Sequence, residues 1–184
     1  KSMITLKNIA LNKSRIAFID VLKKMGGKIK VKKTKTVSGE DVGDIQVSYS
    51  LLNAIEIKSS SSPYLIDEYP ILSVAASQAK GVTVMRGLSE LRHKESDRIK
   101  SITKNLSKIG FNVISKEDDI YIKGSKEILV IKEKKIKTYG DHRIAMSFEI
   151  LSLLYKNKII IDNESCISIS YPDFKKHLKK LSAH

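Results

Sequence analysis

Val82-Thr-Val-Met-Arg-Gly87, followed after a polar interval by Arg98-Ile-Lys-Ser-Ile-Thr-Lys-Asn-Leu-Ser-Lys-Ile-Gly110 and Phe111-Asn-Val-Ile114, is the stretch that sets the fold. The first run is rich in β-branched residues and reads as a strand. In the second, Ile99, Ile102, Leu106 and Ile109 share one face of a helix, and Gly110 is the usual stop. The third returns to strand. The same order occurs near the start. Ile4-Thr-Leu-Lys-Asn8 is a strand, Arg15 to Gly26 a helix with Ile16, Ile19, Leu22 and Met25 on one face, and Gly27 to Val31 a strand.

A second helix type alternates with the first. Asp67 to Gly81 and Asp141 to Tyr155 are apolar nearly all round, which predicts buried helices, and each begins at an aspartate suited to N-capping. Short strands are expected at Ile45 to Tyr49, Ala54 to Ile57 and Ile128 to Ile131. A hairpin from Asn112 to Ile122 should turn at Glu117-Asp118-Asp119, and Ser59 to Pro63 is a loop leading to Asp67. A third copy starts at Ile159-Ile160-Ile161 and the helix after Tyr171-Pro172. The pattern predicts one α/β domain over 1–184, with repeat units at roughly 1–80, 81–157 and 158–184, the last partial.

Composition narrows the function classes. At 184 residues, 41% hydrophobic and 29% charged, the chain has the make-up of a globular domain. No apolar run approaches the roughly 18 residues of a membrane helix. Lys1 to Ile4 carries no signal-peptide core, so an intracellular, cytoplasmic protein is expected. The lone Cys166 has no intrachain partner; it reads as a small buried residue, with a catalytic thiol as the alternative. The net charge of +14 raises a nucleic-acid reading. Against it, only five of the 34 basic residues are Arg (Arg15, Arg86, Arg92, Arg98, Arg143), and the 29 Lys are scattered among Ile and Asn as AT-rich coding DNA would place them. RNA-binding folds present exposed aromatics among basic residues, whereas this chain has no Trp, and Phe18, Phe111 and Phe148 fall in apolar patterns.

Where Lys is the default cation, an Arg marks a position that needs a planar two-point fork. Leu91-Arg92-His93-Lys94-Glu95-Ser96-Asp97-Arg98-Ile99-Lys100 crowds six ionisable groups and a serine between apolar residues, and Gly140-Asp141-His142-Arg143 opens the second buried helix. On a helix beginning near Lys94, the side chains of Lys94, Glu95 and Arg98 would share the first-turn surface. Helix N-termini attract anions. Three of them converging, with Arg98 and Arg143 as forks and His142 beside them, would make an anion-selective pocket in which Glu95 and Asp67 move protons. Each residue also has a plain structural reading: Asp67 and Asp141 as caps, Glu95–Arg98 as a surface pair, His142 as a polar helix start.

Asp67-Glu68-Tyr69-Pro70, Glu90-Leu91-Arg92-His93-Lys94-Glu95-Ser96-Asp97-Arg98-Ile99, Gly140-Asp141-His142-Arg143-Ile144-Ala145-Met146 and Ser170-Tyr171-Pro172-Asp173-Phe174 resemble, in order and spacing, the C-terminal part of the 5-enolpyruvylshikimate-3-phosphate synthase family. The resemblance spans nearly the whole chain. It implies the enolpyruvyl transferase fold: repeated βαβαββ units around a pseudo-threefold axis with buried helices, here with the third unit incomplete and the family's first domain outside this chain. It also implies transfer of the carboxyvinyl group of phosphoenolpyruvate to shikimate 3-phosphate in the shikimate pathway, the step blocked by glyphosate, in a cleft between two domains. The fragment alone would be inactive, and a monomer is expected.

Carried onto matching positions, Asp67 would bind the shikimate hydroxyls and act as base. Glu95 would deliver and remove the methylene proton, and Lys94 would sit beside the reacting centre. Arg98 and Arg143 would bind phosphoenolpyruvate, supported by His142. No metal or organic cofactor is implied. Some family members carry a lysine two residues before the aromatic-Pro pair; here that position is Ile169. UDP-N-acetylglucosamine enolpyruvyl transferase, which shares the architecture without the Lys-Glu-Ser-Asp-Arg motif, and a non-catalytic basic binding module are the alternatives.

Overall fold

The computed structural model describes residues 2–12, 14–125, 135–155 and 159–182. Among these residues, seven α-helices and nine strands follow in order: β1 (Met3–Ala10), α1 (Ala17–Lys24), β2 (Lys28–Val37), β3 (Glu40–Ser48), β4 (Glu56–Ile57), α2 (Ser62–Leu65), α3 (Tyr69–Ser77), β5 (Val82–Met85), α4 (Arg98–Ile109), β6 (Asn112–Lys116), β7 (Asp119–Lys123), β8 (Lys135–Ile136), α5 (His142–Ser152), β9 (Ile160–Ile161), α6 (Ser165–Ser170) and α7 (Phe174–Ser182). The α/β class is as the periodicity predicts. The strand expected at Ile128 to Ile131 lies outside the described residues.

The strands form three sheets. The first has the order β1-β3-β2 and is antiparallel; the second is β4-β5-β7-β6; the third pairs β8 with β9. β4 runs parallel to β5, with Ile57 opposite Met85, and β8 runs parallel to β9, with Ile136 opposite Ile161. A boundary near residue 80 therefore separates two strands that the structure joins. Drawn by sheet, the elements from β4 to β7 run β4, α2, α3, β5, α4, β6 and β7, a βαβαββ order with α2 and α3 as its first helical segment, and the sequence repeat is out of phase with the sheets. Periodicity marks each strand and helix, but a parallel neighbour contributed from before the helix leaves no local signal.

Two kinds of helix result, as the patterning predicts. α4 is amphipathic, burying Ile99, Ile102, Leu106 and Ile109 and ending at Gly110, whose φ of +112° is left-handed. α3 buries Tyr69, Pro70, Leu72, Ser73, Val74, Ala76 and Ser77, so nearly every face meets protein. Its serines cause no unsatisfied cost, because Ser73 donates to the Tyr69 carbonyl and Ser77 to the Val74 carbonyl. α5 buries Ile144, Ala145, Phe148 and Leu151 against α3 and the α6 segment. The second and third sheets pack around these helices in one core that takes in Met85, Leu88, Leu91, Ile120 and Ile122. Burying each such side chain contributes roughly 1.5–3 kcal/mol before the entropy of ordering is set against it.

Close approach fixes the C-terminal end of α3. Gly124 follows β7, donating its amide to the Gly81 carbonyl at 3.0 Å, and Ser125 donates to the Ser77 carbonyl at 3.0 Å. A Cβ at Gly124 would sit 1.9 Å from the Ala79 carbonyl oxygen and 2.7 Å from that of Ala76, both backbone atoms. Gly39, in the β2–β3 turn with φ +81°, has nothing within 4 Å of an added Cβ. Gly124→Ala is therefore expected to lower urea-unfolding stability by about 3 kcal/mol through overpacking. Gly39→Ala should cost only the roughly 1 kcal/mol of a left-handed backbone carrying a side chain. Equal losses for the two would refute this account of the α3 contact.

Candidate active site at three helix starts

The N-terminal ends of α3, α4 and α5 meet, and the helices touch pairwise. The local sequence explains each start. Before α4 the chain makes a 3-10 turn at Ser89–His93, then Lys94 is extended (φ −93°, ψ −166°) and Asp97 caps the helix, its carboxylate accepting the Lys100 amide at 3.0 Å. The helix starts at Arg98, four residues later than expected from Lys94, because an aspartate can satisfy the orphan amides and a lysine cannot. Lys94 and Arg98 therefore do not share a helical surface. At α5, Asp141 is the cap, accepting from the Arg143 amide at 2.9 Å and the Ile144 amide at 3.3 Å. At α3 the cap position is Glu68, with no side-chain cap bond, and the expected capping by Asp67 does not occur. The Asp67 carboxylate turns sideways to two guanidinium groups, which bind a carboxylate more strongly than a neutral amide does.

Arg98 is the centre of the cluster. Its side chain is 0% exposed, and three acids surround it. Nε donates to Asp141 Oδ2 at 2.8 Å, Nη1 to Asp67 Oδ1 at 3.1 Å, and Nη2 to Glu95 Oε2 at 2.6 Å with a longer 3.5 Å contact to Asp141 Oδ1. Asp141 is itself fully buried and also accepts from the Ser96 hydroxyl at 3.1 Å. Arg143 reaches Asp67 from the other side. Its Nη1 donates to the Asp67 carbonyl at 2.9 Å, while Nη2 lies 3.3 Å from Asp67 Oδ2 and Nη1 3.8 Å from Glu68 Oε1. His142 Nδ1 stands 3.9 Å from Glu95 Oε1, and the Glu95 side chain is 48% exposed, so this acid faces both Arg98 and solvent. Lys94 is exposed and acts on Asp67 only through its charge.

The structure thus brings Asp67, Glu95, Arg98, His142 and Arg143 together and leaves Lys94 at the rim. Two acids absent from the expected set belong to the cluster: Asp141, read only as a cap, and Glu68. The signal for Asp141 was present, since a cap beside an arginine-bearing helix start can serve both, but distance in sequence hides the partner. One expectation is corrected. Four carboxylates (Asp67, Glu68, Glu95, Asp141) face two guanidinium groups, so the cations are already compensated and the pocket is no open anion trap. Arg98 in particular is enclosed by acids, where a fork for a bound anion is expected from the sequence.

The electrostatics follow from these distances. Burial alone would raise the Asp67 pKa, but Arg143 and then Arg98, with help from Lys94, outweigh it and hold the carboxyl below its ordinary value. For Glu68 burial prevails over the more distant Arg143, and the adjacent Asp67 charge adds to it, so its pKa is raised. Arg98 loses solvation too, yet Asp141, Glu95 and Asp67 more than restore its charge. Beside Arg143 and Asp67 lies an open hollow of about 250 Å³, walled by Ile71, Met146, Ile150, Tyr171 and Phe174. Cys166 is buried, and burial pushes its thiol pKa up, as suits a packing residue. Among the described residues no cluster of His, Cys, Asp or Glu is arranged to hold a metal ion, and no helix is long and apolar enough to cross a membrane.

Solved structures share this architecture. The enolpyruvyl transferase NikO from Streptomyces tendae superposes with a TM-score of 0.62 at 18% identity, covering 89% of this chain and 34% of that one, a likeness of fold alone. An EPSP synthase from Acinetobacter baumannii superposes with a TM-score of 0.91 at 33% identity, covering 97% of this chain and 41% of that one. The fold is that of the enolpyruvyl transferases. Residues 1–178 match the family model of EPSP synthase (3-phosphoshikimate 1-carboxyvinyltransferase), and the chain belongs to that family. Among similar curated proteins are the 3-phosphoshikimate 1-carboxyvinyltransferases of Campylobacter hominis, 48% identical over 183 residues, and Petrotoga mobilis, 43% identical over 180 residues. The chain is covered to 100% and 98% respectively, and it spans 41% of the length of each relative.

Asp141 generates a test of this geometry. Asp141→Asn keeps the shape and the cap but leaves the Arg98 charge in the interior short of its fully buried counterion. Removing one partner of a buried pair costs about 3–5 kcal/mol, and Glu95 and Asp67 should offset part of it, so a loss near the lower figure is expected in urea denaturation at neutral pH. A loss under about 1 kcal/mol, the value of a surface pair, would show that the pair is not structurally required.

Proposed function

We propose that this chain forms one wall of a catalytic cleft that transfers the enolpyruvyl group of phosphoenolpyruvate to the 5-hydroxyl of shikimate 3-phosphate, releasing phosphate, with the opposite wall supplied by the remaining length that family members have. The observation that carries this reading is the convergence of Asp67, Glu95 and Asp141 on the Arg98 guanidinium, with Arg143 joined to the same Asp67 from the other side. It is supported by membership of the carboxyvinyltransferase family and by the chain's 41% share of its relatives.

The roles follow from chemistry and position. Asp67, ionised at neutral pH because the arginines hold its pKa down, accepts the proton of the attacking hydroxyl as its oxygen bonds to C2 of phosphoenolpyruvate. Glu95, exposed on one side and so able to take up a proton from solvent, gives it to C3, making it a methyl group; in the second half it removes a methyl proton as the C2–phosphate oxygen bond breaks and the double bond returns, and the proton held by Asp67 leaves with the released phosphate. Arg143, whose side chain is 31% exposed, takes the carboxylate or phosphate of phosphoenolpyruvate, and Lys94 at the rim adds positive charge toward the same end. Arg98 acts chiefly by fixing Asp67 and Glu95, and it meets substrate only as they exchange partners. His142 orients Glu95. Preorganised charge of this kind stabilises the transition state because no solvent reorganisation is needed. Ile169, 84% exposed in the last turn of α6, offers no cation, so on this reading Arg143 and Lys94 carry that task within this chain.

Two measurements test the reading. In a polypeptide that includes the full family length, Arg143→Ala is expected to weaken kcat/KM for phosphoenolpyruvate by about 2–5 kcal/mol, the cost of breaking a charge-assisted fork, with a smaller effect on shikimate 3-phosphate; an unchanged specificity constant would remove Arg143 from the site. Purified chain alone should convert the two substrates at less than about one-thousandth of the full-length rate, since half the positioning contacts are missing. Ordinary turnover by the fragment would overturn the half-cleft assignment.

A further inference from the structure

Glu68 has no role in the chemistry above, yet the structure places it where a glutamate is costly. It stands at the cap position of α3 (φ −97°, ψ −10°) without accepting any helix amide, and Pro70 in the first turn removes one of the amides it could have capped. The side chain is 21% exposed, so most of its solvation is lost. The charged groups acting on it are Arg143 on α5, Arg15 on the turn before α1, and the neighbouring Asp67. Arg143 lies 3.8 Å away. Helix capping therefore does not explain this acid, and its orientation is sideways, toward the same guanidinium that Asp67 holds.

The count of Arg143 partners makes the point sharper. Of its three oxygen neighbours, two belong to Asp67, the carbonyl at 2.9 Å and Oδ2 at 3.3 Å, and the third is Glu68 Oε1. If Asp67 turns its carboxylate to a substrate hydroxyl, as the proposed function requires, Arg143 loses its nearer carboxylate at the moment it must hold a ligand. Glu68 is the acid that remains. The same movement weakens the repulsion between the two carboxylates, so attraction between Glu68 and Arg143 grows as Asp67 leaves.

We propose that Glu68 is a positioning residue that keeps the Arg143 guanidinium in register while Asp67 is engaged by substrate, with Arg15 as its second counterion. This rests on the enolpyruvyl-transfer reading. It also accounts for the stability cost. The raised pKa of Glu68 means that its favourable contribution to folding is fully present below the ordinary glutamate pKa and is lost as pH rises through the folded value. At neutral pH the ionised side chain is therefore a net burden on the fold, the pattern of a group kept for function.

The test uses full-length enzyme and three readouts. Glu68→Gln, which mimics the protonated form, is expected to raise KM for phosphoenolpyruvate about tenfold with kcat within about threefold, the signature of lost binding where chemistry is intact. Its Tm at pH 7 should be equal to or above that of the parent, and the difference should vanish below about pH 4, where Glu68 is protonated in both states. Glu68→Asp, which restores the charge one methylene short, should recover part of the loss. The double variant Glu68→Gln with Arg143→Ala should be no worse than Arg143→Ala alone, because Glu68 acts through that side chain. An unchanged KM in Glu68→Gln, a lowered Tm with kcat and kcat/KM falling together, or additive losses in the double variant would each overturn the proposal. If Arg143→Ala itself leaves KM for phosphoenolpyruvate untouched, the enolpyruvyl reading has failed, and the role of Glu68 falls with it.

Discussion

The buried ion pair of Arg98 with Asp141 is the constraint on which the rest of the site depends. A guanidinium with no solvent contact is tolerated only when its donors are matched, and Arg98 also stands on the first turn of α4, where the helix dipole opposes a positive charge. Carboxylates are therefore obligatory around it. Asp141 meets that need and caps α5 with the same side chain, which ties the starts of two helices into one hydrogen-bonded unit. Asp67 extends the unit to the start of α3. A lysine could not replace Arg98, since a single ammonium cannot satisfy three acids in separate directions in one plane.

Such a cluster stores its charges in mutual pairs, with consequences for how it would meet anionic ligands. A pocket of unpaired cations would bind anions strongly but nonspecifically, and it would destabilise the fold by self-repulsion. Here a ligand gains only by exchanging with an acid already in place. Glu95, half exposed, and Asp67, held by two arginines, are the acids free to exchange; Asp141, enclosed and capping a helix, is not. The division between what moves and what stays is thus set by burial, and it coincides with the division between proton-transfer groups and framework in the proposed reaction.

Much of this was legible in the sequence, and the failures have physical causes. Helix faces at Ile99, Ile102, Leu106 and Ile109, the hairpin turning at Glu117 and Asp118, and the capping by Asp141 all follow from local periodicity and side-chain chemistry. Three features were not legible. β2 and β3 extend as a long hairpin through Val37 and Glu40, beyond the strand expected to end at Val31, because the lysine-rich outer part has no buried face and is held by cross-strand pairing alone. β4 joins β5 across an intervening helix, a parallel pairing that no local pattern announces. Asp67 is legible as a site acid near Arg98 and Arg143, but the shift of the α3 cap position from Asp67 to Glu68 is not. The last two concern partners remote in sequence, where tertiary contact overrides local preference, whereas the first is a local pairing that lacks a buried face.

Asp67 and Glu68 show how finely that contact decides. They are neighbours, both carboxylic acids, both partly buried and both near Arg143, yet their pKa values are displaced in opposite directions. Chain position does not distinguish them; distance and partner number do. Asp67 lies 3.1 Å from one guanidinium and 3.3 Å from another, so Coulomb attraction exceeds the loss of hydration. Glu68 has one guanidinium at 3.8 Å, feels Arg15 only through its charge, and has a negative neighbour, so the loss of hydration prevails. Because Coulomb energy falls only as the inverse of distance while a hydrogen bond is lost within half an ångström, the second arginine and the direct contact matter more than the small difference in separation. The backbone turn before α3 sends one carboxylate inward between two arginines and the other along the edge of one, and this single turn assigns two adjacent acids to different tasks.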